Sequence, residues 1–233
     1  VDNVQPIHYT HDIFHIIQLV AYAKNTKIFY RIQDTMTTFL KKEADTERYT
    51  PPEVVAAVKD TLGQIDLDPA TTTLVNSTFI RAKKYYTELD DGLDRENNSW
   101  GGKVYINPPN NLHRGDNTDR PRMFWERLMI EYQAKRVTAA VFLAFNIEFL
   151  QRSQNWNHAM VHYPFCIPSK QLIFYREKNG VIKPGDYPEF ASAIVYIGNN
   201  VGRFSKAFAN IGAVVIPRSI PRNKSNEQNT NMG

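Results

Sequence analysis

The chain has 233 residues, 42% of them apolar, which is the composition of an ordinary globular protein with room for one sizeable core and an appendage. Lys and Arg exceed Asp and Glu by only four, so composition permits nucleic-acid binding without indicating it. A single cysteine, Cys166, excludes an internal disulfide framework and a cysteine-based zinc cluster and suits a reducing compartment, while the lack of any apolar run of transmembrane length and of a signal-peptide pattern predicts an intracellular protein, cytoplasmic or nuclear, away from membranes.

Val1 in place of Met is expected of a segment excised from a longer polypeptide. Over residues 9–43, Ile13, Ile16, Ile17, Val20, Phe29, Ile32, Met36, Phe39 and Leu40 recur at three- and four-residue steps, predicting two helices that pack on the core or on a protein partner. His8, His11 and His15 include a pair four apart that could share one helical face, but no carboxylate or further ligand accompanies them in a metal-binding pattern, and no metal is expected. Residues 1–48 are therefore read as a helical extension, 49–217 as the main domain, and 218–233, which lack an apolar anchor, as a disordered polar tail.

The main domain opens on Thr50-Pro51-Pro52-Glu53, a helix start in which Thr50 can cap, proline suits the first turn and Glu53 completes a capping box; Val54, Val55, Val58 and Leu62 form the buried stripe and Gly63 the stop. Residues 65–70 read as a short strand that delivers Asp68 to its carboxyl end, followed by Thr71-Thr72-Thr73 where a glycine-rich turn is usual. Tyr85-Tyr86-Thr87 and the acidic turn Asp90-Asp91-Gly92-Leu93 come next, with Asp91 sixteen residues before Asn107. Then Lys103-Val104-Tyr105-Ile106-Asn107-Pro108-Pro109-Asn110 is an apolar run ending in a polar residue and two prolines. Prolines lack an N–H and force extended geometry on the residue before them, so this strand end is rich in acceptors and poor in donors. The Asn107 side-chain oxygen and the Pro108 carbonyl can together receive the two hydrogens of an exocyclic amino group. They draw its nitrogen toward tetrahedral geometry as it attacks a methyl, and they strengthen as charge develops. Amino-group methylation follows as the candidate chemistry.

Residues 110–122 are polar and basic, with Arg114, Arg120 and Arg122, and read as a long loop facing nucleic acid. A helix is predicted over 123–134, a buried strand over 139–144, a strand over 158–168, a hairpin in which 171–175 pairs across Asn179-Gly180, a strand over 188–196, a helix over 202–209 and a last strand over 213–216.

In order and approximate spacing, Thr50-Pro51-Pro52-Glu53, Leu67-Asp68-Pro69-Ala70, Tyr85-Tyr86-Thr87, Asp90-Asp91-Gly92-Leu93, Trp100-Gly101 and Asn107-Pro108-Pro109 resemble the phage-type DNA N-6-adenine methyltransferase (Dam) family, and Pro188-Glu189-Phe190-Ala191-Ser192 resembles its Pro-Phe-Pro-Ser strand. The resemblance covers roughly residues 50–198. It implies an α/β fold, a Rossmann-like class I methyltransferase sheet with a helical N-terminal extension. It further implies S-adenosylmethionine across the carboxyl strand ends, contacted by Thr50, Pro51, Asp68, Pro69, Ala70 and Asp91, with Asn76 as a further contact. A target adenine extruded from DNA would meet Asn107, Pro108, Pro109 and Asn110, and displacement at the methyl would be direct, leaving Cys166 as buried filler. The chain departs from the family at Asn110, where an aromatic residue is usual. Stacking a flipped base on an aromatic face is worth on the order of 1–3 kcal/mol; Phe124, Trp125, Phe165 and Phe174 are candidates to supply it. Two alternatives stay open: an inactive methyltransferase-like nucleic-acid-binding or scaffold module, and a protein-glutamine methyltransferase.

Overall fold

The computed structural model describes residues 48–109, 119–178, 181–185 and 190–218. Asn110, Arg114, the expected N-terminal helices with their histidines, and the expected tail from 219 onward lie outside them. Of the described residues, 48–109, 119–176, 182–185 and 190–218 belong to one compact unit, and 177, 178 and 181 fall outside it. No helix among the described residues is long and apolar enough to cross a membrane.

Helix α1 is Pro52–Leu62, ended by Gly63 at φ +83. The expected Thr50 cap is not made: Pro51 holds the cap position, no side chain caps the helix, and the Pro51 carbonyl takes the amides of Val54 and Val55 at 3.0 and 3.1 Å. Pro52 at the first helical position has no N–H to satisfy, so the helix has less need of a side-chain cap and Thr50 is left for another partner. Strand β1 (Leu67–Asp68) leads to α2 (Thr73–Val75), capped by the Thr72 hydroxyl, which accepts from the Val75 amide at 3.2 Å; a wider helical turn, Asn76–Ile80, continues it. Strands β2 (Lys84–Tyr85) and β3 (Gly102–Ile106) follow.

The next helix, α3, is Arg120–Gln133. Arg120 and Arg122 therefore sit in its first turn and not in a loop, because Asp119 caps it, accepting from the Arg122 amide at 3.3 Å, and Pro121 suits the turn. Strand β4 (Val137–Ala144), helix α4 (Glu148–Arg152) and β5 (Phe165–Pro168) come next; the strand expected over 158–168 is short because Met160–His162 is a tight helical turn. The hairpin is β6 (Tyr175–Lys178) with β7 (Val181–Pro184), later than expected. The end of the main unit is β8 (Ala193–Ile197), α5 (Val201–Phe208) and β9 (Gly212–Val215).

The strands form a seven-stranded sheet in the order β2-β1-β3-β4-β8-β5-β9. Neighbours from β2 to β4 are parallel, whereas β4–β8, β8–β5 and β5–β9 are antiparallel, so five strands run one way and β8 and β9 the other. This mixed α/β sheet is compatible with a Rossmann-like fold. Strand periodicity sends alternate residues to opposite faces. Tyr105, Val141, Leu143, Ile194 and Tyr196 pack with α1 and α5, while Val104, Ile106, Phe142 and Val195 pack with Trp125 and Leu128 of α3. Both faces are covered, which is why the central strands read as unbroken apolar runs. From β1 the chain moves to β2 on one side; from β3, on the other side of β1, it moves to β4. The carboxyl ends of β1 and β3 thus flank the point where the strand order reverses, the position at which open α/β sheets bind ligands.

Candidate active site

Asp68 ends β1 at that reversal. It is 1% exposed, its Oδ1 accepts from the Ala70 amide at 3.1 Å, and the Thr71 hydroxyl also donates to it. Burial dominates these bonds and pushes the carboxyl up to about 7, and no cationic side chain among the described residues offsets it. The sequence places an acid here; the structure gives it a fully desolvated one.

One strand over, Tyr105 and Asn107 are two residues apart and project to the same side of β3. The Tyr105 phenol is buried and hydrogen-bonds the buried Thr50 hydroxyl. Burial raises the phenol's pKa well above its usual value, and the nearby Asp68 carboxyl raises it further. The segment that carries Thr50 also touches Asn107, whose Nδ2 donates to the Arg48 carbonyl at 2.8 Å. Only the nitrogen end of an amide can donate to a carbonyl, so this bond fixes the flip and turns Oδ1 away as the acceptor end. Tyr49, between them, exchanges both backbone bonds with Tyr175 at 2.8 Å. Replacing Tyr105 by Phe should strand the Thr50 hydroxyl. A buried unsatisfied hydroxyl costs about 1–3 kcal/mol, and at about 2–4 °C per kcal/mol for a domain of this size a thermal melt should fall by several degrees. An unchanged melt would mean that the bond adds nothing to the fold.

Asp91 reaches the same end by a different route. It follows β2 in a left-handed conformation, φ +48, with Oδ1 accepting from the Leu93 amide at 3.2 Å. Gly92 lies so close to the β1 end that a β-carbon there would stand 1.9 Å from the Pro69 carbonyl oxygen, so only glycine lets this turn sit against Asp68-Pro69-Ala70. The turn is then anchored: Trp100 Nε1 donates to the Gly92 carbonyl at 2.8 Å, Asn98 Nδ2 to the Asp91 carbonyl at 2.9 Å, and Arg127 to the Leu93 and Asn98 carbonyls at 3.3 and 3.0 Å. Thr50, Pro51, Asp68, Pro69, Ala70, Asp91, Asn107, Pro108 and Pro109 therefore all lie on segments at or next to the carboxyl ends of β1, β2 and β3.

Other expected residues have different work. The Asn76 amide is spent on Ala82, accepting from its N–H at 2.8 Å and donating to its carbonyl at 3.3 Å, so it is a backbone clamp and not a cofactor contact. Phe124 and Trp125 are 3% and 0% exposed and belong to the core, which removes them as stacking partners for a base. Arg122 pairs with Glu126 at 2.8 Å and lies over the Trp156 ring at 5.7 Å, so its charge is already engaged within the unit. Cys166 is fully buried and its thiol is pushed up to about 11, which suits packing and not nucleophilic attack. Sequence reasoning missed Tyr105 and Arg127. The first had a signal, its same-face spacing from Asn107; the second had an i,i+4 partner in Glu131 on the same helix. Among the described residues no group of three metal-binding side chains converges. No protein-family model, no curated protein and no solved structure matches the chain.

Proposed function

We propose that this chain is a site-specific DNA methyltransferase that uses S-adenosylmethionine to methylate the exocyclic amino group of adenine. The observation that carries the reading is that Asp68 ends β1 and Asn107 directly follows the neighbouring parallel β3, both at the carboxyl ends where the strand order reverses, with the Asn107 amide held so that its oxygen is the acceptor end. The cofactor fits this donor set on physical grounds. Asp68 is a buried carboxyl with no cation acting on it among the described residues, and a sulfonium or ammonium would supply that charge. When bound, S-adenosylmethionine supplies an electrophilic methyl carbon on a positively charged sulfur. Thr50, Pro51, Pro69 and Ala70 would hold it beside Asp68, with Asp91 as the acceptor for its adenine amino group.

The chain's own part in the reaction is orientation and charge. Asn107 Oδ1 and the Pro108 carbonyl accept the two N–H bonds of the target amine, which fixes its nitrogen and frees its lone pair for attack. Those two bonds tighten as positive charge grows on the nitrogen, so they favour the transition state over the ground state. No side chain acts as a nucleophile. DNA as the substrate rests on the order of motifs and the small basic excess; a glutamine amide would meet the same acceptors. The test is methyl transfer from labelled S-adenosylmethionine to adenine-containing duplex and single-stranded DNA, with a glutamine peptide alongside. Transfer to DNA alone supports the reading, transfer to the peptide alone reassigns the substrate, and cofactor binding without any transfer makes the chain a binding module.

The buried acid also gives a pH signature. Asp68 holds its proton up to about 7 when folded, against an ordinary value of 3.8, so its burial weighs increasingly against the fold as pH rises through that interval. A bound cation favours the ionised form. Affinity for S-adenosylmethionine should therefore climb by up to about tenfold per pH unit below neutrality and then level off, and Asp68→Asn should flatten the curve. Calorimetric titration across that range decides it; the same slope in both proteins would remove Asp68 from the cofactor site.

A further inference from the structure

A second cleft, of about 200 Å³, opens between α1, α5 and the sheet. Lys103 and Thr138 line it from the amino ends of β3 and β4, and Asn199 and Asn200 from just beyond the carboxyl end of the antiparallel β8. It therefore lies at the end of the sheet opposite Asp68 and Asn107.

The groups that face it are donors. The Lys103 ammonium and an Arg203 guanidinium nitrogen each come within 3.6 Å of the point where a β-carbon on Gly63 would stand, so two cations converge on one spot; Arg203 Nε already donates to the Asp60 carbonyl, its other guanidinium nitrogens carry the remaining donors, and no carboxylate among the described residues lines the cleft. Asp66, just before β1, is held by Lys83 at 3.2 Å, Gln64 at 2.9 Å and the Lys103 amide at 2.9 Å, and it also feels the Lys103 charge, but it does not line the cleft. Tyr196, 2% exposed, brings its phenol oxygen to the cleft, where it accepts from the Asn200 amide at 3.1 Å; its own proton meets no acceptor among the described residues. The hydroxyls of Thr61 and Thr138 are committed to the carbonyls of Ala57 and Gly102. Asn200 caps α5 by accepting from the Arg203 amide at 3.1 Å, which leaves the first amides of that helix pointing outward at its positive end, and a β-carbon on Gly202 would meet nothing within 4 Å.

We infer that this cleft binds a phosphate group. Two cations, a buried phenol with a proton to give and a helix amino terminus form a donor set that a tetrahedral anion satisfies and that neither a cation nor a neutral apolar ligand does. The phosphate can belong to a nucleic-acid backbone or to a small phosphorylated molecule, and this inference does not depend on the methyltransferase reading.

The test follows the backbone amides of Asn200, Val201, Gly202 and Arg203 by two-dimensional NMR at low ionic strength. Inorganic phosphate and a short DNA duplex are titrated separately into the whole chain. Saturable shifts of these amides are expected with at least one probe: free phosphate alone points to a small-molecule phosphate, and the duplex alone to a backbone phosphodiester. Lys103→Gln with Arg203→Gln, both at partly or fully exposed positions and compatible with the fold, should weaken that response by about tenfold or more, and Tyr196→Phe should weaken it less. Silence at these amides with both probes overturns the inference, as does a response undiminished in the double variant.

Discussion

Asn107→Ala should leave a folded protein that still binds S-adenosylmethionine but transfers methyl about two to three powers of ten more slowly, the usual cost of losing one preorganised hydrogen-bonding group in the transition state. The side chain does two things, and the variant removes both: Oδ1 is the proposed acceptor for the amine, and Nδ2 holds the Arg48 carbonyl at 2.8 Å. Asn107→Asp separates them. A carboxylate keeps an acceptor toward the amine but cannot donate to Arg48, so it should retain most of the rate if acceptance is what matters. It should fall as far as alanine if the Arg48 bond is the working part. Single-turnover methyl transfer at saturating cofactor, with thermal melts of each variant, reads the two effects apart. A rate undiminished in Asn107→Ala would end the catalytic assignment.

The parts of this site that could be read from the sequence are those encoded locally. A short apolar run that stops at Asp68, or at Asn107 before two prolines, marks a strand end whatever surrounds it, and the structure puts both at the same edge of the sheet. Gly63 as a helix stop was legible for the same reason. What was not legible depends on distant partners. Thr50 carries every local mark of a helix cap, yet its hydroxyl goes to Tyr105, fifty-five residues away, and a long-range bond leaves no trace in the capping pattern. The start of α3 was a different error: polarity over 110–122 suggested a loop, although Asp119 followed by Pro121 was itself a helix-start signal. The direction of β8 was beyond reach, since a strand covered on both faces is uniformly apolar whether it runs parallel or antiparallel to its neighbours.

The other large effect should come from Arg127, which no motif singled out. Its side chain is 4% exposed, donates to Glu131 at 2.6 Å and to the carbonyls of Leu93 and Asn98, and lies over the Trp100 ring at 5.4 Å. Burial works to raise the Glu131 pKa, but hydrogen bonds from Arg136 and Arg127 outweigh it and hold the carboxyl below its ordinary value. A depressed acid stabilises the fold above its unfolded pKa and loses that contribution as pH falls through the folded one, so this network should weaken only in acid. Breaking a buried pair by removing one partner costs about 3–5 kcal/mol. Arg127→Ala belongs at the lower end, because Glu131 keeps Arg136, although two loop carbonyls lose their donor. The loop concerned is the one that carries Asp91 against Pro69. Arg127→Ala should therefore lower the midpoint of denaturant unfolding and, under conditions where the variant is still fully folded, also weaken S-adenosylmethionine binding. A stability loss with cofactor affinity unchanged would detach the Asp91 turn from the cofactor site while leaving Asp68 and Asn107 in place.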